Sequence, residues 1–409
     1  MSTLVQATIQ AEPDIAVNAA ASASAGVSDI KAPSVILMDA DGGQVLYDKN
    51  SKTPLHIAAV CKLMTVLLAV ETGDLASNVT ISSDSVDAQG SALSLEVGKK
   101  YTLEDLLYGI MLTSANDAAK AVAENIGGDT AKFVDSMNEM ADKLGMDNTH
   151  FKNPTGLYDE EQFTTAYDIS LLMKYAVSKP AFKMIFSVKA RPWDYVDGAP
   201  KILTSQNKLF WSYYGVDGGK TGYNEKEKQT VVTTAQKNGI ELICIVLDSP
   251  ENDLFNDATI LFDYGFNNFM KSILVHNGEV LKTVEVDGNE LNLVSQSDIS
   301  YVHPLGESYI KEFSTSTDLK PPLKKSKPAG NARYVLEDGT VIDVNIYPQT
   351  EIVPPEDFLS KAKKQILENK DILYLVAFLL ALEALFIIVN LAKLIKRLFR
   401  RNKRVNRAK

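Results

Sequence analysis

The stretch VDGGKTGYNEKEKQTVVTTAQKNGIELICIVLDS, which runs from Val216 to Ser249, carries a clear sheet signal. It contains two runs rich in β-forming residues, Gln229–Ala235 and Ile240–Ser249. Between them, the sequence KNG at 237–239 has the composition of a tight turn. The stretch therefore predicts two neighbouring strands that are joined by a short turn.

Further strands and a group of helices are predicted before this stretch. Ser34–Asp39 and Gln44–Tyr47 are strand-like and are joined by Ala-Asp-Gly-Gly, which indicates a β-hairpin. Between the two sheet regions, apolar residues recur at helical spacing. The predicted helical segments are Ala58–Thr72, Leu103–Leu112, Asp117–Ile126 and Thr130–Leu144. The order of strands, helices and strands predicts an α+β domain with a helical cluster on an antiparallel sheet.

After Phe269 the sequence consists of short runs in which apolar and polar residues alternate, and Gly and Asp lie between these runs. This pattern is typical of a small all-β domain. The predicted strands are Lys282–Val286, Leu291–Val294, Tyr334–Leu336 and Val341–Ile346. A charged, helix-prone connector then begins at Glu356.

The end of the chain predicts one transmembrane helix. Ile372–Ala392 is a run in which only Tyr374, Glu383 and Asn390 are polar, and at 1.5 Å per residue it spans about 30 Å. Lys393–Lys409 then holds nine of the 42 Lys and Arg residues and no acid. The positive-inside rule places this tail in the cytoplasm and the body outside the cell. A buried core helix is disfavoured by the length of the run and by the flanking charges.

Composition limits the remaining possibilities. The chain of 409 residues is 45% hydrophobic and has two cysteines, which excludes a disordered chain and a disulfide scaffold. Its net charge is −10, and with the basic tail left out the body carries −19. An acidic body does not bind nucleic acid through a basic face, so we expect no nucleic-acid partner.

These features give the predicted domain boundaries. They are a flexible lead-in at 1–31, an α+β domain at 32–268, a small β-rich domain at 269–355, a connector at 356–370, a transmembrane helix at 371–393 and a basic cytoplasmic tail at 394–409.

Three short motifs that can carry chemistry occur in a fixed order. They are Lys62 in AAVCKLMT, Ser114-Ala115-Asn116, and Lys220-Thr221-Gly222. Each motif alone is weak evidence of function, but together they reproduce the S-x-x-K, S-x-N and K-T-G order of the penicillin-interacting serine enzymes. In such a set, a lysine one helical turn after a serine can accept the proton of its hydroxyl.

The other two motifs suit the handling of a peptide substrate. A second Ser and an Asn, here Ser114 and Asn116, relay protons and hold the substrate amide. Lys220 and Thr221 present a cation and a hydroxyl to a substrate carboxylate, and their strand can pair with the substrate backbone. Gly222 lets that backbone approach closely.

The wider sequence resembles the low-molecular-weight penicillin-binding proteins, specifically the serine D-alanyl-D-alanine carboxypeptidases, over roughly residues 32 to 350. The segments that carry the resemblance are VILMDADGGQVLYDKN, AAVCKLMT, LLYGIMLTSANDAA, FKNPTGLYDEEQFTTAYDISLL, QNKLFW and VDGGKTGYNEKEKQTVV. Class A β-lactamases share the motifs but would lack the β-rich domain and the anchor.

The resemblance implies both a fold and a reaction. The fold is that of the penicillin-binding and β-lactamase-like transpeptidases, followed by a β-rich domain and a C-terminal membrane anchor. The reaction is removal of the terminal D-Ala from peptidoglycan stem pentapeptides through an acyl-serine intermediate. The partners it implies are peptides that end in D-Ala-D-Ala, β-lactams and the membrane, with no cofactor.

One residue departs from this pattern. Ala59 stands three residues before Lys62, where the family places its serine nucleophile, and alanine has no hydroxyl. The resemblance therefore implies that the chain forms no acyl-enzyme as written and binds β-lactams without a covalent bond. Cys61 is about 200° around a helix from position 59 and should point away from the cleft. A deliberate Ser-to-Ala inactivation and a natural pseudoenzyme that binds D-Ala-D-Ala or scaffolds wall proteins both stay open.

Other residues have weaker indications. The segment Asn207–Trp211 either lines the cleft or forms an exposed turn, and Asn153–Gly156 is predicted to be scaffold beneath the cleft. Cys61 and Cys244 lie in apolar stretches and are predicted to be buried small hydrophobes. The four histidines lack metal-ligand spacing, so we predict no metal. Glu383 in the apolar run either stays protonated or pairs with another helix.

Overall fold

The computed structural model describes residues 26–56, 59–195, 201–224, 228–250, 252–306, 309–352 and 370–405. The chain divides into two compact units that are discontinuous in sequence. The first consists of Met1–Asn277, Ser297–Ser314 and Arg333–Asp343, and the second of Gly278–Gln296, Thr315–Ala332 and Val344–Lys409. Residues 1–25 of the predicted lead-in and 356–369 of the predicted connector lie outside the described residues.

Short strands and helices follow one another along most of the described chain. The strands are β1 (Ser34–Asp39), β2 (Val45–Lys49), β3 (Leu55–His56), β4 (Asn78–Thr80), β5 (Lys100–Thr102), β6 (Phe163–Thr164), β7 (Ala190–Trp193), β8 (Lys201–Thr204), β9 (Val216–Asn224), β10 (Lys228–Lys237), β11 (Ile240–Ser249), β12 (Phe269–Val275), β13 (Val280–Val286), β14 (Asn289–Val294), β15 (Ile299–Pro304), β16 (Ile310–Thr317), β17 (Gly330–Leu336) and β18 (Val341–Pro348). The helices are α1 (Lys62–Thr72), α2 (Ser83–Val86), α3 (Leu103–Thr113), α4 (Asn116–Gly127), α5 (Thr130–Leu144), α6 (Ala166–Val177), α7 (Pro180–Phe186), α8 (Leu209–Ser212), α9 (Leu254–Asn268) and α10 (Lys370–Val405). A 3-10 turn, Ala59–Cys61, precedes α1.

The first unit is built on an antiparallel sheet in the order β2-β1-β11-β10-β9. Successive side chains of a strand point to opposite faces, so one strand can contribute to two cores. In β1, Ile36 and Met38 pack into the core that contains α1, α3 and α4. Val35 and Leu37 pack into a second core with Phe262 of α9. The sheet is therefore covered on both faces, and the predicted α+β arrangement is confirmed.

Side-chain caps fix where several of the helices begin. The hydroxyl of Thr102 accepts a hydrogen bond from the backbone N–H of Asp105 at 3.1 Å at the start of α3. Thr165 caps α6 in the same way, and Asp129 caps α5 by accepting from Lys132 at 2.8 Å. Each cap satisfies a backbone donor that has no partner inside its helix. Helices α3 and α5 therefore begin at the residues that the sequence predicts.

The end of the lead-in is tied to the sheet domain. The carboxylate of Asp257 in α9 is buried and accepts hydrogen bonds from the backbone N–H groups of Lys31 and Ala32, at 3.1 and 2.8 Å. Ile30 is also buried in the core on the α9 side. Residues 30–32 are therefore packed where they enter β1. Helix α9 itself has no counterpart among the predicted elements.

The later part of the chain is rich in strands, as the sequence predicts. Strands β13, β14, β16, β17 and β18 form a sheet in the order β13-β14-β18-β17-β16, and β12 pairs with β15. Strands β13, β14, β17 and β18 extend runs that the sequence predicts. Strands β12, β15 and β16 do not follow from the sequence pattern, and β16 is exposed nearly throughout, so it lacks the burial that produces alternation.

The last helix, α10, contains the predicted transmembrane run. Tyr374–Lys396 is long and apolar enough to cross a membrane by length and composition. This C-terminal apolar helix suggests that the protein is anchored in a membrane. The helix continues through part of the basic tail, to Val405.

Candidate active site

Lys62 is buried at the start of α1. Its side chain is 2% exposed, and its Nζ donates a hydrogen bond to the backbone carbonyl of Thr155. Burial disfavours the charged ammonium and lowers the pKa of Lys62 to about 8. A lysine with this pKa is partly neutral near neutral pH, so it can accept a proton.

The loop that meets Lys62 is held by α1 and the turn before it. The thiol of Cys61 donates to the carbonyl of Asn153 at 3.2 Å, and the hydroxyl of Thr65 donates to that of Pro154 at 2.8 Å. With the bond from Lys62 to Thr155, three consecutive carbonyls of the loop are held by side chains of the segment 61–65. Cys61 is thus buried against this loop, and its thiol is directed to Asn153.

Asn153 organises the same loop from within. Its Oδ1 accepts hydrogen bonds from the backbone N–H groups of Thr155, Gly156 and Leu157, at 3.1, 2.8 and 3.1 Å. Its Nδ2 donates to the carbonyl of Leu157 at 2.9 Å. One amide therefore replaces the regular backbone pairing that this turn lacks. The contacts of Asn153 and Pro154 are those of a scaffold, whereas Gly156 and Leu157 line the cleft.

The second motif lies between two helices. Ser114 ends α3 in the left-handed region, with φ 58° and ψ 32°, and Asn116 begins α4. A non-glycine residue in this region costs of order 1 kcal/mol, and such residues are frequent at functional sites. This conformation turns the chain sharply between the helices and holds both side chains of the motif at one end of them.

Asn116 is buried and incompletely paired. Its backbone N–H donates to the carbonyl of Ser91 at 2.7 Å, and its Nδ2 donates to that of Gln89 at 2.5 Å. Its Oδ1 is buried, and no described residue donates a hydrogen bond to it. An unpaired buried acceptor is costly, so this oxygen is suited to a donor that a ligand supplies.

The third motif lies on β9, at the edge of the five-stranded sheet. Lys220 is 2% exposed, and its Nζ donates to the hydroxyl of Ser114 and to the carbonyl of Thr221, the latter at 2.8 Å. Burial and the positive charge of Lys62 lower the pKa of Lys220 well below its usual value. The hydroxyl of Thr221 donates to Oε1 of Gln206 at 3.4 Å.

The motifs meet at one cavity of about 490 Å³. The described residues that line it are Lys62, Gly90, Ser91, Ser114, Asn116, Thr155, Gly156, Leu157, Tyr158, Gln206, Thr221, Gly222 and Tyr223. Lys220 is buried beside it, in contact with Ser114. None of these lining residues is an Asp or a Glu, so the described lining offers no carboxylate to Lys62 or to the neighbouring Lys220. Ala59 begins the 3-10 turn before Lys62, and this turn contacts β9.

Several lining residues do not follow from the sequence pattern. Gly90 and Ser91 come from an irregular stretch between α2 and β5. Gln206 precedes the segment Asn207–Trp211, in which Asn207 is buried and donates to the hydroxyl of Thr233 at 3.1 Å. Trp211 is 58% exposed. The signal that could have found Gln206 is its place in the segment QNKLFW, which carries part of the family resemblance.

Gly219 makes room for Asn207 beneath β9. A Cβ at position 219 would lie 1.9 Å from Nδ2 of Asn207, which is far inside any allowed contact. Because Asn207 is fully buried and also accepts from the backbone N–H of Leu209 at 3.2 Å, its amide has little freedom to move. The glycine before Lys220 is therefore a packing requirement of the strand that carries the motif.

Comparison with known proteins identifies the family. The family model described as D-alanyl-D-alanine carboxypeptidase matches residues 18–251, more than half of the chain. This chain belongs to the D-alanyl-D-alanine carboxypeptidase family. A member, the D-alanyl-D-alanine carboxypeptidase DacF of Bacillus subtilis, is 30% identical over 349 residues, which cover 82% of this chain and 89% of DacF. DacC of Escherichia coli is 30% identical over 353 residues, covering 79% and 86% of the two chains.

Solved structures of the family confirm the predicted penicillin-binding fold. Penicillin binding protein 5 from Haemophilus influenzae has a TM-score of 0.68 and 26% identity, with 80% of this chain and 98% of that chain covered. A peptidoglycan synthesis regulatory factor, PBP3, from Streptococcus pneumoniae has a TM-score of 0.66 and 26% identity, with 79% and 99% covered. The family and the fold are therefore shown over both the α+β and the sheet-rich parts of the chain.

The role of Asn153 leads to a stability prediction. Asn153→Ala should lower the free energy of unfolding by about 1–3 kcal/mol, because the loop N–H groups lose their acceptor. Asn153→Asp keeps the acceptor oxygens and loses only the donor to Leu157, so its loss should be smaller. Urea unfolding of the three forms measures the difference. Equal losses for the two variants would contradict the role assigned to Oδ1.

Proposed function

We propose that this protein binds peptidoglycan stem peptides that end in D-Ala-D-Ala, and that as written it does not hydrolyse them. The observation that carries the proposal is the convergence of Lys62, Ser114, Asn116 and Lys220 on one cavity of a carboxypeptidase-family fold. The substrate class comes from the names of the relatives, which are D-alanyl-D-alanine carboxypeptidases. The proposed lack of hydrolysis is inferred from Ala59, which has no hydroxyl to act as the nucleophile.

The carboxylate of the terminal D-Ala is assigned to Lys220 and Thr221. The pKa of Lys220 is lowered by burial and by Lys62, and the described cavity lining offers no carboxylate as a counter-ion. A ligand carboxylate would supply the missing negative charge and would favour the charged form of Lys220. The hydroxyl of Thr221 would donate a second hydrogen bond.

The peptide backbone is assigned to Asn116 and to the edge of β9. The unpaired Oδ1 of Asn116 can accept from a substrate amide N–H, which would remove the cost of the buried acceptor. Strand β9 pairs with β10 on one side and is the last strand of its sheet. An extended peptide can add to such an edge, and Gly222 leaves room for it. These contacts would hold the scissile amide beside Lys62.

Hydrolysis then lacks only its nucleophile. Position 59 is three residues before Lys62, which is about one turn of either a 3-10 or an α-helix, so the two positions share a face. In the family mechanism, Lys62 would take the proton from a serine there, and the Ser114 hydroxyl would relay protons to the leaving amine. Alanine cannot form the acyl bond. The Ser114 hydroxyl itself accepts a hydrogen bond from Lys220, and the thiol of Cys61 donates to the carbonyl of Asn153.

Two origins of Ala59 are possible, and both leave the site without a nucleophile. The chain is an inactivated form of an acyl-serine carboxypeptidase, or it is a natural pseudoenzyme that binds D-Ala-D-Ala peptides or scaffolds wall proteins. The codon at position 59 in the source genome separates them, because a serine codon there means an edited enzyme and an alanine codon means a pseudoenzyme. In both cases β-lactams would bind without a covalent bond.

We further propose that α10 anchors the protein with the body outside the cell and the basic tail inside. The support is the apolar span Tyr374–Lys396 and the nine basic residues from Lys393 to Lys409. Positive charges that follow a span stay on the cytoplasmic side. The cleft would then face the compartment that contains peptidoglycan.

Ala59→Ser should by itself restore covalent penicillin binding and D-Ala release. The increase in turnover should reach up to about 10⁶-fold, the cost of deleting the nucleophile in an unrelated serine protease. Labelling should speed up as the pH rises through about 8, because only neutral Lys62 accepts the proton. Fluorescent penicillin on a gel and D-Ala released from a pentapeptide provide the two readouts.

The matched control for this variant carries the hydroxyl without the base. Ala59→Ser combined with Lys62→Ala should remain unlabelled if Lys62 activates the serine. A labelled band from the chain as written would identify another nucleophile, with Ser114 or Cys61 the first to examine. An inert Ala59→Ser variant would show that the cleft has lost more than the hydroxyl and would favour the pseudoenzyme.

Lys220→Ala should weaken the binding of a D-Ala-D-Ala peptide by about 1.5–3 kcal/mol, or roughly 10- to 150-fold in Kd, since a charge-assisted hydrogen bond is lost. The control is Lys132→Ala on the exposed surface of α5, which should leave the Kd unchanged. Calorimetry on the chain as written measures both. An unchanged Kd for Lys220→Ala would refute the assigned carboxylate site.

The proposed orientation is tested with protease on intact spheroplasts. A tag placed after Lys409 should survive while the body is digested, because the basic tail lies in the cytoplasm. The same tag should be lost once detergent opens the membrane, which serves as the control. Loss of the tag from intact spheroplasts would reverse the orientation.

A further inference from the structure

Two polar side chains lie on one face of the apolar helix. Glu383 and Asn390 are seven residues apart in α10, and both are exposed on the chain. Seven residues at 100° each bring the second side chain to within about 20° of the first, about 10.5 Å further along the axis. Val376, seven residues before Glu383, and Ile387, four residues after it, lie on the same face.

Glu383 has no polar neighbour in its own helix. A side chain can meet its own helix only at positions three or four residues away. Those positions are Leu379, Leu380, Phe386 and Ile387, which are all apolar. Glu383 is also near the middle of the span Tyr374–Lys396, so it is far from water at either end. A carboxyl group at that depth is costly unless another group pairs with it.

The two side chains are each able to pair with a copy of themselves. A neutral carboxyl group has one O–H donor and a carbonyl acceptor, and a carboxamide has both an N–H donor and a carbonyl acceptor. Two parallel helices in the same membrane place Glu383 opposite Glu383 and Asn390 opposite Asn390 at equal depth. A single asparagine repeated in this way sets register and partner number in coiled coils. A lysine-bearing helix would satisfy Glu383 but would leave Asn390 without a matched group.

We propose that α10 pairs in parallel with α10 of a second copy of this chain, through the face that carries Glu383 and Asn390. The proposal depends on the membrane span proposed above. Copies of a single-pass protein insert in the same orientation, so the parallel arrangement needs no further condition. Hydrogen bonds between the paired side chains satisfy groups that lipid cannot, while Val376 and Ile387 pack beside them.

The test is cysteine cross-linking of the full-length chain in its membranes. Ile387→Cys places a thiol on the proposed face, about 40° from Glu383, and Ile388→Cys places one about 140° away. Mild oxidation should join two chains through Cys at 387 and leave the 388 variant monomeric, because a disulfide needs Cβ atoms about 4 Å apart. The chain without an added cysteine controls for Cys61 and Cys244, which are buried.

The dependence on Glu383 is measured in the Ile387→Cys background. Glu383→Leu should reduce the cross-linked fraction by roughly three- to twentyfold, the range of a hydrogen bond in a membrane, whereas Glu383→Gln retains a donor and an acceptor and should preserve it. Equal cross-linking at 387 and 388, no cross-linking at either, cross-linking only to a different protein, or no effect of Glu383→Leu would each overturn the pairing.

The same membranes distinguish failure of the pairing from failure of the anchor. Alkaline carbonate releases proteins that do not span the bilayer. A chain that carbonate releases would refute both the span and the pairing. A chain that resists carbonate but fails the cross-linking test would refute only the pairing. Binding of D-Ala-D-Ala peptide by the body is measured separately, so neither result bears on the cleft.

Discussion

The burial of two lysine side chains at one cavity is the constraint on which the site depends. Moving the pKa of Lys62 from 10.5 to about 8 corresponds to roughly 3 kcal/mol of lost stabilisation of its ammonium form. Each lysine is held by oxygen acceptors of the protein, Lys62 by Thr155 and Lys220 by Ser114 and Thr221. The loop of Asn153, the left-handed turn at Ser114 and the edge strand β9 all serve to hold those acceptors in place.

The side chains to which the proposed chemistry is assigned could be predicted from the order and spacing of their motifs. Lys62, Ser114, Asn116 and Lys220 stand in recognisable motifs, and the structure brings them together at one cavity, which helices α1, α3 and α4 and strand β9 surround. The acceptor for Lys62 could not be predicted, since it is a backbone carbonyl that any residue at 155 would offer. Gly90 and Ser91 could not be predicted for a related reason, because an irregular loop reaches the cavity only through tertiary packing.

The fold shows the same division between local and long-range information. Strands β1, β10 and β11 and helices α3 to α5 follow from the local periodicity and composition of the sequence, and side-chain caps fix the start of α3 and α5. Helix α9 could not be predicted from the sequence pattern. Its Asp257 accepts hydrogen bonds from the backbone N–H groups of Lys31 and Ala32, which are more than 200 residues away in the sequence. Its role lies in covering the second face of the sheet. That role is visible only when the sheet has been assembled.

The chain lacks a hydroxyl at position 59, yet the other residues of the site still lower the stability of the fold. The left-handed backbone of Ser114 lowers stability, and so do two desolvated lysines and an unpaired Asn116 oxygen, which apolar residues in their places would not cost. A ligand with a carboxylate and an amide N–H would satisfy these groups together. The arrangement is therefore compatible with the binding proposed above, whichever history Ala59 has.

Pairing of α10 would change what such binding achieves. Two sites would then stand on the same side of the membrane against one polymer, and a second bound stem peptide raises the overall affinity by about 10²- to 10⁴-fold without any new contact in the cleft. Binding without turnover would give durable attachment to the wall, because each bound peptide keeps the terminal D-Ala that the cleft recognises.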